Sequence, residues 1–307
     1  MKINTIVSVA AVCGCIFTAT AADEAATSQA DGAAPAEAKL SEEEKGEQEE
    51  ESLVSAEFSV GMDSRYITYG VMDGKDPIVR MNGYVTFLDW WYIGGEMLFD
   101  VTKGNGKRGP YDWGNRAGKY TTIDMQTGIA HEFNLGQTLG KLGVDFYYTY
   151  EYVVRHHHTM NDTQYLDVEL KLGDLWFEPK LWIERDLLAD EGTYVNLEVG
   201  HTVALIGEGE DAKLTFRPSF AQGGGNTQRT RGYSLAQDHG GMMDSTIKGE
   251  FAWALCENVK LKAYAAYCDY WFDRTLRHGA REYNGAWGGS NHRSWNFYGG
   301  VSLNFSF

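Results

Sequence analysis

Residues 293–307 read R-S-W-N-F-Y-G-G-V-S-L-N-F-S-F. Taken two at a time, Trp295, Phe297, Gly299, Val301, Leu303, Phe305 and Phe307 fall on one side, and Asn296, Tyr298, Gly300, Ser302, Asn304 and Ser306 on the other. Successive side chains of a strand point to opposite faces, so this is a strand with one apolar and one polar face. Such a strand must cover its apolar row with a soluble core or with lipid, and periodicity alone does not separate the two. The sequence finishes on the apolar row itself, which is expected of a strand whose outer face meets lipid and whose inner face meets a polar lumen.

The same alternation recurs upstream. Leu142, Val144, Phe146, Tyr148, Tyr150 and Tyr152 share a face; Leu166, Val168, Leu170 and Leu172 oppose Asp167, Glu169 and Lys171; Ile247, Phe251, Trp253 and Leu255 oppose Lys248 and Glu250. Twelve candidate strands follow, at 55–68, 77–89, 91–101, 120–133, 141–154, 163–172, 174–186, 193–205, 212–222, 244–255, 259–272 and 294–307. Most reach the roughly 10 residues that a tilted strand needs to cross a bilayer. Links after the odd strands are mostly long, such as 102–119, 223–243 and 273–293, whereas those after the even strands are mostly short, such as Gly173 alone and 256–258. Sorted loop lengths of this kind belong to membrane barrels, with short periplasmic turns and longer outer loops. The predicted fold class is all-β: a transmembrane antiparallel β-barrel of about twelve strands over 53–307, with both termini periplasmic. Aromatics near strand ends, among them Trp90, Trp91, Tyr92, Trp176, Trp182, Tyr267, Tyr270, Trp271 and Trp295, suggest interfacial girdles, although alternation sends Trp176 and Trp182 inward.

Before the barrel, residues 1–22 have the form of an export signal: Lys2, an apolar run over 6–17, and a small-residue cleavage site at Ala19-Thr20-Ala21. Residues 23–52 contain no aromatic residue and are dominated by Ala, Glu and Ser, so a solvated acidic periplasmic tail is expected. Cleavage would leave Cys256 and Cys268, whose spacing predicts no disulfide.

Parity fixes the candidate lumen. Asp63, Arg65, Glu96, Asp124, Asp145, Glu151, Glu178, Lys180, Arg217, Lys248, Glu250, Lys260 and Lys262 are the predicted pore-lining charges. Both signs facing inward imply either a neutralised, packed interior or a narrow aqueous path crossed by a transverse field. Inward Tyr147, Tyr264, Trp176 and Trp182 could stack on a ring-shaped solute or simply fill space. In the outer loops, Lys103, Lys107, Arg108, Arg116 and Lys119, and Arg274, Arg277, Arg281 and Arg293, suit the phosphates of lipopolysaccharide or anionic solutes. His156-His157-His158 with nearby Asp162 lacks the ligand spacing of a metal site on a rigid element. No metal, cofactor or nucleic-acid partner is expected.

Three resemblances bear on function. The final strand is similar to the C-terminal strand of bacterial outer-membrane proteins, whose terminal Phe implies recognition by the barrel-assembly machinery. Residues 57–100 resemble the opening of a porin family, TorF-like, on Asp63, Arg65, Tyr66, Gly70, Asp73 and Gly74. That likeness implies an outer-membrane channel passing small hydrophilic solutes by diffusion; the alternatives are a structural or adhesive barrel that does not conduct, and a lipid-modifying enzyme. For the last, Arg293-Ser294-Trp295-Asn296 with His292 resembles a short piece of outer-membrane phospholipase, but parity turns His292, Ser294 and Asn296 inward rather than to lipid, and no enzyme is expected.

Overall fold

The computed structural model describes residues 54–154, 162–235 and 239–307. The expected signal, the acidic tail and His156–His158 lie outside the described residues.

The wall begins with β1 (Val54–Asp63), β2 (Ile78–Phe87), β3 (Trp91–Asp100), β4 (Lys119–Asn134), β5 (Lys141–Tyr152) and β6 (Thr163–Lys171). It continues with β7 (Lys180–Asp186), β8 (Thr193–Gly200, resuming over Val203–Ile206), β9 (Leu214–Gly225), β10 (Gly241–Cys256), β11 (Val259–Asp269) and β12 (Asn296–Ser306). Every strand pairs antiparallel with its chain neighbours, and β12 also pairs with β1, which closes a twelve-stranded barrel. Closure leaves no open ladder edge along the wall.

Register sets which side chains share a face. At the seam, Phe58, Val60 and Met62 stand opposite Phe305, Leu303 and Val301, while Ser59 and Gly61 stand opposite Asn304 and Ser302. The apolar row points out around the barrel: Met62, Ile93, Met125, Phe146, Leu197, Ile247, Trp253, Phe297 and Val301 are all exposed. The polar row points in, with Asp63, Asp100, Asp167, Glu184 and Asn296 buried.

Three expectations are corrected. The first strand stops at Asp63, not at 68; the chain bends at 64–65 and forms a small hairpin, Tyr66–Thr68 with Val71–Gly74. Its turn uses Tyr69 and Gly70 at φ 46° and 80°. A Cβ on Gly70 would come within 2.3 Å of the Asp244 Cβ, so both conformation and space require glycine there. The seventh strand starts at Lys180, not at 174, so Trp176 lies in the preceding turn, 73% exposed and stacked on His201, not in the lumen. Tyr92 and Tyr270 are inward-facing or buried rather than girdle residues: Tyr92 donates to Asp145, and Tyr270 is fully buried.

Two long connections carry helices. In α1 (Thr227–Ser234) the Asn226 side chain accepts from the Arg229 N–H, and in α2 (Arg274–Gly285) Asp273 accepts from the N–H groups of Thr275 and Leu276. The helices touch where Gly279 faces the Ser234 carbonyl, an approach that any Cβ would block. With the 66–74 hairpin they form a lid packed into the long-loop end of the barrel. Val71, Tyr194, Met243, Tyr270, Leu276 and Ala280 form its buried core, with Tyr69, Trp182 and Tyr233 against it. A buried Leu such as Leu276 contributes about 1.5–3 kcal/mol.

Candidate functional site

The lumen is built by the even–odd rule on each strand, and its charges fall into two sectors. On β3 to β7, cross-strand neighbours place Glu96 beside Asp124, Asp124 beside Glu151, Asp145 beside Glu169, and Asp167 beside Glu184. On β9 to β11, Arg217, Lys248, Lys260 and Lys262 project from the opposite side of the ring, with Arg217 beside Glu250 and Lys262 beside Ser302.

Basic residues tie parts of the acidic sector down. Arg80 of β2 holds both oxygens of Glu96 at 2.8 Å and Asp63 at 3.2 Å, while Tyr264 donates to the other Asp63 oxygen at 2.7 Å. Lys180 meets Glu169 at 2.7 Å. Arg217 joins Glu178 at 2.9 Å and Glu198, and Lys248 lies 3.4 Å from Glu250 on its own strand. Glu178 thus sits in the turn before β7 and anchors it, also accepting from Thr202. Arg65 lies past the end of β1, in the bend that opens the hairpin.

Two cations central to this arrangement were not among the predicted lumen charges. Arg80 was legible: Val79, Met81, Val85 and Phe87 are apolar, which sends Arg80 inward by the same alternation. Arg229 was not, because it reaches the barrel from a loop helix. Its guanidinium is fully buried, 2.8 Å from Glu184 and 3.4 Å from Asp190. Its N–H groups do not align on these oxygens as hydrogen bonds, so the pairs are ionic in character. It lies over the ring of Tyr69 at 4.7 Å and near Tyr233 at 5.5 Å.

Below the lid, a cavity of about 170 Å³ opens against the acidic sector. Asp124, Glu151, Asp167 and Glu184 face it, together with rings that include Tyr147, Tyr165 and Trp182. Tyr165 donates to Glu151 at 2.6 Å and Trp182 to Asp167 at 2.9 Å.

Three of the loop bases, Arg108, Arg116 and Arg277, are engaged in ion pairs within the chain, whereas Lys103, Lys107, Lys119, Arg274 and Arg281 are exposed. Arg116 is buried and paired with Asp100 at 3.0 Å, and Arg108 lies 3.7 Å above the Tyr283 ring and 3.7 Å from Asp73, so neither is presented to surrounding phosphates. Arg277 pairs with Asp269 at 2.9 Å. His292, Ser294 and Asn296 are engaged separately: His292 with Glu282, Ser294 with Arg277, and Asn296 with the Gly70 carbonyl. Cys256 and Cys268 are both free thiols.

No family model matches the sequence, and no curated protein matches it. The TorF-like resemblance of residues 57–100 therefore has no counterpart in that comparison. Among solved structures, the chain is similar to a KdgM porin, with 7% identity, TM-score 0.44, and 82% of this chain and 99% of that one covered. It is similar to the NanC porin at 9% identity and TM-score 0.45, covering 81% and 98%. It is also similar to OccAB2 of Acinetobacter baumannii at 8% identity and TM-score 0.38, covering 76% and 55%. No residue assignment follows from these likenesses.

Proposed function

We propose that the chain is an outer-membrane barrel of a diderm bacterium, acting as a narrow passive channel for small hydrophilic solutes. The observation that carries this reading is the two-faced wall. A continuous exposed apolar row encircles a closed barrel whose inner row is charged. A soluble monomer seldom exposes a contiguous apolar patch beyond a few hundred Å², and lipid would cover this one. Twelve strands enclose more space than the side-chain-filled eight-stranded barrel. In this reading the lid faces the cell exterior, where long loops belong, and the short turns face the periplasm. The export signal over 1–22, the acidic tail over 23–52 and the assembly-signal likeness of the final strand fit the same route, with the barrel-assembly machinery and lipopolysaccharide as the partners it implies.

Of the thirteen charges read from the sequence, the eleven on wall strands remain the proposed lumen lining, joined by Arg80; Arg65 and Glu178 lie in the bend after β1 and the turn before β7. One observation favours a second reading, a structural or adhesive barrel that does not conduct: the core around Tyr194, Met243, Tyr270 and Leu276 fills the long-loop end. Single-channel recording of the purified full chain in planar bilayers decides between them. Stepwise currents are expected. A wild-type protein that inserts but stays silent would overturn the channel and leave the non-conducting barrel.

A further inference from the structure

The cavity below the lid carries an unbalanced set of carboxylates. Arg80 neutralises Glu96, and Arg229 neutralises Glu184. Between them, on β4, β5 and β6, stand Asp124, Glu151 and Asp167, for which no ion pair with a basic side chain is found among the described residues. Asp124 and Glu151 are direct cross-strand partners. Like charges placed directly opposite repel, and a cation seated between two adjacent carboxylates facing one cavity relieves that repulsion.

Two further observations point to a ligand. The Thr122 hydroxyl lines this cavity, is only 3% exposed, and has no hydrogen-bond partner. Asp124 Oδ1 is likewise buried without a partner. Leaving buried polar atoms unsatisfied is costly, and their convergence on one cavity marks a place for a donor from outside the chain.

The chain itself shows what kind of donor the walls accept. Three of the lining residues already hold a nitrogen cation: the Arg229 guanidinium meets Glu184 at 2.8 Å and lies 4.7 Å from the Tyr69 ring and 6.0 Å from that of Tyr165. The rest of the lining repeats that pattern without a cation: carboxylates at Asp124, Glu151 and Asp167, with the Tyr147 and Tyr165 rings among them. Among the described residues no three His, Cys, Asp or Glu side chains are placed to hold a metal ion. The volume, about 170 Å³, is close to that of an engineered protein cavity of about 150 Å³ that takes up benzene, so a ligand of six to nine heavy atoms fits.

We infer that this cavity binds a small organic cation, an alkylammonium or guanidinium compound of diamine size, between Asp124, Glu151 and the facing tyrosines. The inference deepens the channel reading by naming a solute class, and rests on it only for passage across the membrane. Binding is a separate property of the cavity.

Calorimetric titration of the full chain in detergent micelles at fixed ionic strength, with putrescine, glutamate and magnesium chloride, tests it. Saturable binding of putrescine, with none of glutamate and weaker or no binding of magnesium, is expected. Asp124→Asn with Glu151→Gln should weaken putrescine at least tenfold while keeping or raising the thermal midpoint, because the substitution relieves repulsion. Asp124→Asn alone should weaken it as well, which guards against a double variant that fails to fold. No saturable putrescine binding, equal binding by the variants, or magnesium held as tightly as putrescine would each overturn the site. Conductance, recorded separately, keeps the two proposals apart: binding in a silent barrel upholds the site and removes the channel, and currents without binding do the reverse.

Discussion

Arg229 of α1 and Glu184 of β7 meet inside the barrel, with 2.8 Å between guanidinium and carboxylate. This contact pins a loop helix to the wall, and Tyr69 of the hairpin donates to the same carboxylate. Arg229→Ala would leave Glu184 and Asp190 without their buried cation. Losing one partner of such a pair costs about 3–5 kcal/mol. Urea unfolding of the barrel in lipid vesicles should show that loss. Arg229→Lys should recover only part of it, because an ammonium is a compact point charge that does not reproduce the planar guanidinium over the Tyr69 ring.

Leu303 and Asn304 are neighbours in β12 on opposite faces. Leu303 pairs across the seam with Val60 and Asn304 with Ser59. In the membrane reading, Leu303→Arg should destabilise the folded barrel by about 2–4 kcal/mol at mid-depth. Asn304→Arg, directed into the lumen, should cost clearly less. Equal impairment of folding into vesicles by the two variants would contradict the assigned faces.

Asp273 lies outside the wall and fastens α2. Partial burial acts to raise its pKa, but the hydrogen bond from His239 at 2.7 Å and the N–H groups of Leu276 and Thr275 outweigh it and hold the carboxyl below the ordinary aspartate value of 3.8. A depressed folded-state pKa means that the contribution is fully present above the unfolded value and is lost as pH falls through the lowered one. Hydrogen exchange at residues 275–277 should therefore accelerate in that acidic window. Asp273→Asn keeps a good capping side chain but removes the titration, so its protection should lack this acid step. An unchanged acid profile in the variant would assign the effect elsewhere.

Lys248 and Lys262 project from the basic sector, and Lys248 offsets Glu250 only at 3.4 Å. If the lumen conducts, Lys248→Glu with Lys262→Glu should shift the reversal potential in a salt gradient towards cation selectivity, because fixed wall charge sets which ion enters. Conducting wild type and variant with identical reversal potentials would mean that these lysines do not border the ion path.

Much of the wall was legible before any coordinates. Alternation in β5, β6, β10 and β12 gave the correct inward and outward faces, because a period-two pattern admits one assignment once one face must be apolar. The same alternation, with Val79, Met81, Val85 and Phe87 on the apolar row, places Arg80 inward. The strand ends at Asp63 and Lys180 were less accessible: a polar or aromatic residue extends a strand pattern equally well when it belongs to another element, as Tyr66 does to the small hairpin and Trp176 to a turn.

What the sequence by itself determined is therefore the repeating part of the protein: twelve two-faced strands, their order and, within the clearly alternating strands, which face is apolar. Tertiary structure alone decided how the long connections return. Arg229, Tyr69 and Tyr233 lie in segments with no period to read, and no local rule states that they enter the barrel. Their placement depends on contacts between residues far apart in the chain, Tyr69 with Glu184 and Met72 with Asn284. The same folding decides which lumen carboxylates receive a cation and which, at Asp124 and Glu151, face the cavity with no basic partner among the described residues. Backbone periodicity is a local consequence of strand geometry, whereas charge balance in a closed lumen is settled only when all the elements around it are in place.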